Sequence, residues 1–309
     1  MPATTLSGQS AVDRTRRRFL ASGLFAAARS PAVAGPAAII HLAVFEGDRQ
    51  AAGEIVRAFQ AHFPSTIVHI GGRYDWVHTA VGIIVALGAG SFASVGRWIP
   101  RAPVLGLFLS RAEYRALRPK WLGSGPVGAI FAEAGPGAQF EVINTLFGRS
   151  VTTLAFVPEG DDLLAGAIQN AAAQNGQDAE VVWSRPGTSV VEELALRSDF
   201  AAVLATPDSN LFRPDDWRAI LEATYRRGRV IVGYNPGMVR AGAIATAYAD
   251  IEQVVDDAAL VIGSISSGAR IHGAYPRFWR VDVNGALASS LGFNSDAVDR
   301  LGRLGSLPP

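Results

Sequence analysis

The chain has 309 residues, 28 basic and 27 acidic, a length that fits about two domains of roughly 150 residues each. This near-neutral balance argues against a nucleic-acid partner, since phosphate backbones select clustered cations. The absence of cysteine excludes disulfides, thiolate metal sites and cysteine nucleophiles.

The N-terminus reads as a targeting segment. Thr15-Arg16-Arg17-Arg18-Phe19-Leu20 is a basic cluster that ends in two apolar residues. A weakly apolar stretch runs to Ala28, and Ala32-Val33-Ala34 has the small-x-small pattern of a signal-peptidase site. Thr15 to Leu20 also resembles the twin-arginine export consensus. The apolar stretch is shorter than the about 20 residues that span a bilayer. The expectation is a signal peptide over residues 1–34, cleaved near Ala34, and export to the periplasm. The alternatives are a retained basic N-terminus and an uncleaved anchor.

Beyond it, apolar runs alternate with helical patterns. Ile39 to Phe45 reads as a strand, and Gln50 to Phe63 as a helix stopped by Pro64. Strands are predicted at Ile67–Ile70, Ile83–Leu87 and Val104–Leu109, with a short helix after Gly88-Ala89-Gly90-Ser91. The Gly/Pro/Ala-rich segment from Gly123 to Gly137, with a strand at Val127–Phe131, reads as the crossover to a second lobe. The alternation then restarts. Strands are predicted at Val151–Val157, Ala179–Trp183, Phe200–Leu204 and Val230–Tyr234. Helices are predicted at Asp161–Asn175, Val190–Leu196 and Pro214–Arg227. After Asn235-Pro236-Gly237 the chain is expected to recross. A helix at Ile251–Ile265, a strand at Arg277–Val283 and a helix at Gly285–Leu291 follow.

Strands apolar on both faces indicate parallel sheets covered by helices. The fold class is therefore α/β: two doubly wound, Rossmann-like lobes joined by a hinge. The expected lobes are 35–124 and 125–245, with 246–309 recrossing between them. In such sheets ligands sit beyond the carboxyl ends of the strands.

Two second-half segments carry a family resemblance. Arg229 to Ala243 (RVIVGYNPGMVRAGA) takes a strand through a loop into "V-x-A-G-A". Phe278 to Asn284, with Ala288 and Leu291-Gly292, matches an "N-x-x-x-A-x-x-L-G" ending. Gln139 to Leu146 and Ala205 to Asn210 add to the likeness. Together they resemble the ABC-transporter substrate-binding family that includes TrpX-like proteins. The resemblance covers about Ile39 to Leu301 in element order and is sequence-specific mainly from Gln139 onward. It implies a type 1 periplasmic-binding-protein architecture, a small-molecule ligand and a membrane ABC permease as partner. The first lobe departs from the pattern at Phe45-Glu46-Gly47 and Tyr74-Asp75-Trp76.

Candidate ligand contacts lie near strand ends. Asp208 suits a ligand amine and Asn210 a hydrogen bond to it; the alternative is an Asx turn. Tyr234 and Asn235 end another second-lobe strand, where Asn-Pro-Gly alternatively sets a hinge turn. Phe45, Tyr74 and Trp76 are candidates for aromatic walls from the first lobe, with core packing as the alternative. Gly88 to Ala93 matches G-x-G-x-x-A, but after the third strand and without the acid that a dinucleotide site needs. Ser91 there is a candidate polar contact at a helix start, or simply a cap.

The acid pairs Asp161-Asp162 and Asp215-Asp216 begin predicted helices and read as caps. Five histidines show no H-x-x-x-H or H-E-x-x-H spacing, and no G-x-S-x-G nucleophile motif occurs. No catalytic residue, metal or cofactor is expected. The reading is a monomeric solute-binding protein feeding an ABC importer, with a ligand sensor or an enzyme on the same fold as alternatives.

Overall fold

Two parallel-dominated sheets organise the chain. The computed structural model describes residues 39–44, 49–71, 73–185, 187–208 and 211–308, and both sheets belong to the unit Ala37–Pro309. The expected signal peptide lies outside the described residues, as do Phe45 and Asn210.

The first sheet is laid down early. Its elements are β1 (Ile40–Val44), α1 (Arg49–His62), β2 (Ile67–Ile70), β3 (Ile83–Leu87), α2 (Gly88–Arg97), β4 (Val104–Leu109), α3 (Arg111–Leu117) and β5 (Val127–Phe131). The second sheet begins with α4 (Pro136–Phe147), β6 (Thr152–Pro158), α5 (Asp162–Gln174), β7 (Asp178–Ser184), α6 (Val190–Leu196) and β8 (Ala202–Leu204). It continues with α7 (Pro214–Tyr225), β9 (Val230–Val232), α8 (Pro236–Arg240) and β10 (Ala245–Tyr248). The chain then returns through α9 (Ile251–Ser266) and β11 (Gly273–Ala274) to the first sheet. It ends in the second with β12 (Trp279–Val283), α10 (Gly285–Ser290), α11 (Ser295–Leu301) and β13 (Gly305–Ser306).

The strand orders are β11-β5-β4-β3-β1-β2 and β13-β12-β10-β9-β8-β6-β7. Both contain the doubly wound order 2-1-3-4-5. All pairs are parallel except β10 with β12 and β12 with β13.

Period-two alternation builds a core on each face of each sheet. In the first sheet Leu42, Val44, Val85 and Leu105 pack with Phe59 of α1 and Val254, Val255 and Ala258 of α9. Ala43, Ile84, Ala86 and Val104 face the other way, onto Phe92 and Val95 of α2. In the second sheet Ala155, Val157 and Val232 meet Phe140 and Ile168, whereas Leu154, Phe156 and Ile231 meet Leu194 and Ile220. Full burial of a large apolar side chain stabilises by about 1.5–3 kcal/mol, so sheets covered on both faces are self-consistent.

Two expected boundaries move. β5 pairs in parallel with β4, so the first lobe runs on through Phe131 instead of ending at 124, and the crossing follows β5. The chain also does not recross after Asn235-Pro236-Gly237. Those residues start α8, and β10 then pairs with β9 in the second sheet. The second crossing comes only after Tyr248.

Among the described residues three crossing segments thus connect the lobes, and they are braced. The first and second are joined by a backbone bridge between Glu133 and Tyr248. The Gln139 amide donates to the Ala247 carbonyl at 2.8 Å and accepts from the Ala247 N–H at 3.0 Å. The third crossing is tied to α9, where Arg277 N–H donates to buried Asp257 at 2.9 Å. An ion pair also joins Arg280 of β12 to Asp250, the N-cap of α9.

Gly82 gives a local test of the first sheet. Its φ is +108°, and an added Cβ would lie 2.1 Å from the Ile39 carbonyl oxygen, which accepts from Ile83 N–H at 2.9 Å. Gly82→Ala is expected to cost at least about 2 kcal/mol through strain and lost pairing. A shifted urea midpoint at unchanged m-value would show it; an unchanged midpoint would contradict it.

Candidate functional site

A cleft lies where the carboxyl ends of the two sheets meet. Its enclosed part is about 60 Å³ and opens to solvent. Arg111 and Glu133 line it just past β4 and β5, Asp161 past β6, Thr206 and Asp208 past β8, Tyr234 past β9, and Tyr275 past β11. In the second sheet the lining falls at the switch point between β6 and β8, where the winding reverses and ligands bind in this class of sheet. Apolar wall is added by Ala134, Pro136, Leu164, Ile168 and Leu204.

Helix starts hold the charges in place. Ser110 caps α3 in a reciprocal capping box with Glu113, which puts Arg111 at the first helical position. Asp161 caps α5, accepting from Leu164 N–H at 3.1 Å. The two meet across the cleft. Arg111 Nη1 and Nη2 donate to Asp161 Oδ2 and Oδ1 at 2.7 and 2.9 Å, a two-pronged fork. Arg115 also pairs with Asp161. The Arg111 side chain is only 13% exposed. Burial works to raise the Asp161 pKa, but the bonds and charges from Arg111, Leu164 N–H and Arg115 win and hold it below the ordinary value. The bond to Asp161 raises Arg111 in return.

Glu133 is the exceptional group. It is 5% exposed. Oε1 accepts from Arg111 N–H at 2.9 Å, whereas Oε2 has no hydrogen-bond partner among the described residues. Burial pushes this carboxyl up to about 7, against the pull of the Arg111 N–H, of its own backbone N–H and of the Arg111 charge. Burial also raises Tyr275, to about 12, and Tyr234.

The structure brings Asp208 and Tyr234 together in the cleft and sends other sequence candidates elsewhere. Tyr74 is buried in the core beside α2. Trp76 stacks on His69 with centroids 3.7 Å apart, and His69 Nε2 lies 3.0 Å from His41 Nδ1. Both aromatics are committed to packing within the first lobe. Ser91 is fully buried inside α2, and its hydroxyl has no hydrogen-bond partner among the described residues. Asn235 caps α8, accepting from Met238 N–H at 3.0 Å. Arg111, Glu133 and Tyr275 escaped the sequence reading, and Asp161 was expected only as the cap that it also is. The signal that finds them is position, because each lies within a few residues of a strand's carboxyl end.

No protein-family model matches the chain, and no curated protein matches it. Solved structures do. An ABC domain in complex with L-Trp from Streptococcus pneumonia superposes with a TM-score of 0.55 at 14% identity, over 86% of this chain and 98% of that one. An open, ligand-free substrate-binding protein with adhesive properties from Clostridium difficile gives 0.60 at 13%, over 84% and 96%. A conserved domain protein from Vibrio cholerae gives 0.54 at 13%, over 85% and 98%.

The chain has the type 1 periplasmic-binding-protein fold. This is the architecture that the second-half resemblance implies, and the match extends over the first lobe, where the sequence likeness is weakest. In the type 1 fold the cleft between lobes opens and closes about the crossing segments. The Arg111–Asp161 fork spans that cleft.

Proposed function

We propose that the protein is a periplasmic solute-binding protein that captures a small polar or aromatic molecule between its lobes and delivers it to an ABC permease in the inner membrane. The observation that carries this reading is the cleft itself, lined from both sheets by residues at strand carboxyl ends. Solute-binding neighbours of the same fold support it, one of them solved with L-Trp. The N-terminal export pattern, Thr15 to Ala34, supports a periplasmic site of action. The protein is read as a monomeric binder rather than an enzyme.

The enclosed 60 Å³ holds a few waters and is far below the about 300 Å³ of formed small-molecule pockets. A ligand of amino-acid size therefore has to occupy the open mouth as well, or part the lobes. Mass spectrometry of small molecules released from the purified mature protein, with a thermal-shift screen, tests the reading. The true ligand at a hundredfold excess over its Kd is expected to add about 2.7 kcal/mol of stability. If no amino acid, aromatic, sugar or organic acid moves the melt and nothing is released, the reading falls.

A further inference from the structure

Glu133 lines the cleft, and its carboxylate oxygen Oε2 has no hydrogen-bond partner among the described residues. The residue is only 5% exposed, and Oε2 itself is buried. Leaving such an atom unpaired costs roughly 1–3 kcal/mol or more, so native structures rarely tolerate it without a reason. The residue also lines the cavity, which makes the natural partner an incoming donor.

We propose that the cleft selects ligands carrying a protonated nitrogen, an ammonium or amidinium on an apolar stem, that donates to Glu133 Oε2. The proposal rests on the solute-binding reading and narrows it to a ligand class.

The charge around Glu133 decides the sign. From α3 come Arg111, Arg115 and Glu113; from the N-cap of α5, Asp161; from the loops after β8, β9 and β11, Asp208, Tyr234 and Tyr275. The positive charge is already committed. Both Nη atoms of Arg111 sit on Asp161, Arg115 pairs with the same carboxylate, and Arg111 N–H serves Glu133 Oε1. A ligand carboxylate would meet a guanidinium whose charge Asp161 already neutralises and whose two fork donors are taken. A ligand cation that reaches Glu133 Oε2 meets a buried acceptor with no partner to displace among the described residues. The wall of Ala134, Pro136, Leu164, Ile168 and Leu204 suits the stem.

Proton linkage gives the site a signature. The ligand cation requires ionised Glu133, which burial keeps protonated up to about pH 7. Binding below that pH must expel a proton, so affinity is expected to weaken by close to tenfold per pH unit below 7 and to level off above it.

Calorimetric titration of the purified mature protein tests this with matched probes: phenethylamine, phenylalanine, 3-phenylpropionate, tryptamine and indole-3-propionate. The expected result is binding by nitrogen-bearing probes and none by the two desamino acids. Glu133→Gln, which keeps the shape but offers the cation no charge, should lower amine affinity at least tenfold and flatten its pH dependence. Retained thermal unfolding of the variant separates lost recognition from lost fold. The proposal is overturned if the desamino acids bind as well as the amines, or if Glu133→Gln binds amines within twofold of the parent. It is also overturned, with solute binding left standing, if the released ligand lacks a protonatable nitrogen. Absence of any ligand in this panel and in the broader screen removes the solute-binding reading and this proposal together.

Discussion

Glu133→Gln is expected to stabilise the ligand-free protein by about 3 kcal/mol at pH 8 and by almost nothing at pH 4. The ordinary carboxyl value is 4.5 and burial lifts Glu133 to about 7. Below pH 4.5 the group is neutral in both folded and unfolded chains, and the substitution changes little. Between 4.5 and 7 the folded chain keeps a proton that the unfolded chain has released, so the parent loses stability as pH rises. Above 7 the loss is complete, and at about 1.4 kcal/mol per pKa unit it amounts to about 3 kcal/mol. Glutamine carries no such cost. Urea denaturation of parent and variant from pH 4 to 8 isolates the effect, because other titrating groups cancel in the difference. Curves that run parallel across this range would contradict it. Under the proposed ligand role, this cost would be an exchange of stability for function.

Asp161→Ala is the second large effect. It leaves the 13%-exposed Arg111 side chain without its fork and removes the cap of α5. The cap alone is worth about 1 kcal/mol. Stripping one partner from a buried ion pair costs about 3–5 kcal/mol when the survivor stays buried. Here it need not stay buried, because separation of the lobes returns Arg111 to water. The expected outcome is a net loss of about 1–2 kcal/mol together with a larger radius of gyration in solution scattering. Asp161→Asn, which keeps a capping acceptor, should open the lobes while restoring much of the stability. An unchanged radius of gyration in both variants would show that the fork does not hold the cleft. The acid limit follows from the same pair. Asp161 is held below its ordinary 3.8, so its contribution is complete above that pH and is lost as pH falls through the lower folded value.

Much of the fold was legible because parallel strands buried on both faces are unbroken apolar runs. Ile83–Leu87, Val104–Leu109 and Val127–Phe131 coincide with β3, β4 and β5. The elements that escaped are short or masked by punctuation. β10 is Ala-Thr-Ala-Tyr, and β11 and β13 have two residues each. α4 hides behind Gly135-Pro136-Gly137, where Pro136 sits at the first helical turn that tolerates it. Lobe membership was harder still, since it depends on which strand β5 and β10 pair with. In the site, the strand-end rule found Asp208 and Tyr234. It passed over Arg111 and Glu133 because a lone charge in a loop normally faces water, and only tertiary pairing shows that these two are buried. Tyr74 and Trp76 illustrate the converse: an aromatic near a strand end packs inward as readily as it lines a pocket.

The return of α9 to the first sheet has a consequence for biogenesis. Leu42, Val44 and Val85 are covered partly by Val254, Val255 and Ala258. β5 ends at Phe131 and α9 at Ser266, about 135 residues later. At ~5–20 residues per second of synthesis, the uncovered face waits roughly 7–27 s for its helix. A nascent chain stalled after the first five strands should therefore bind apolar-surface dyes and require a chaperone, until the stretch through Ser266 is added.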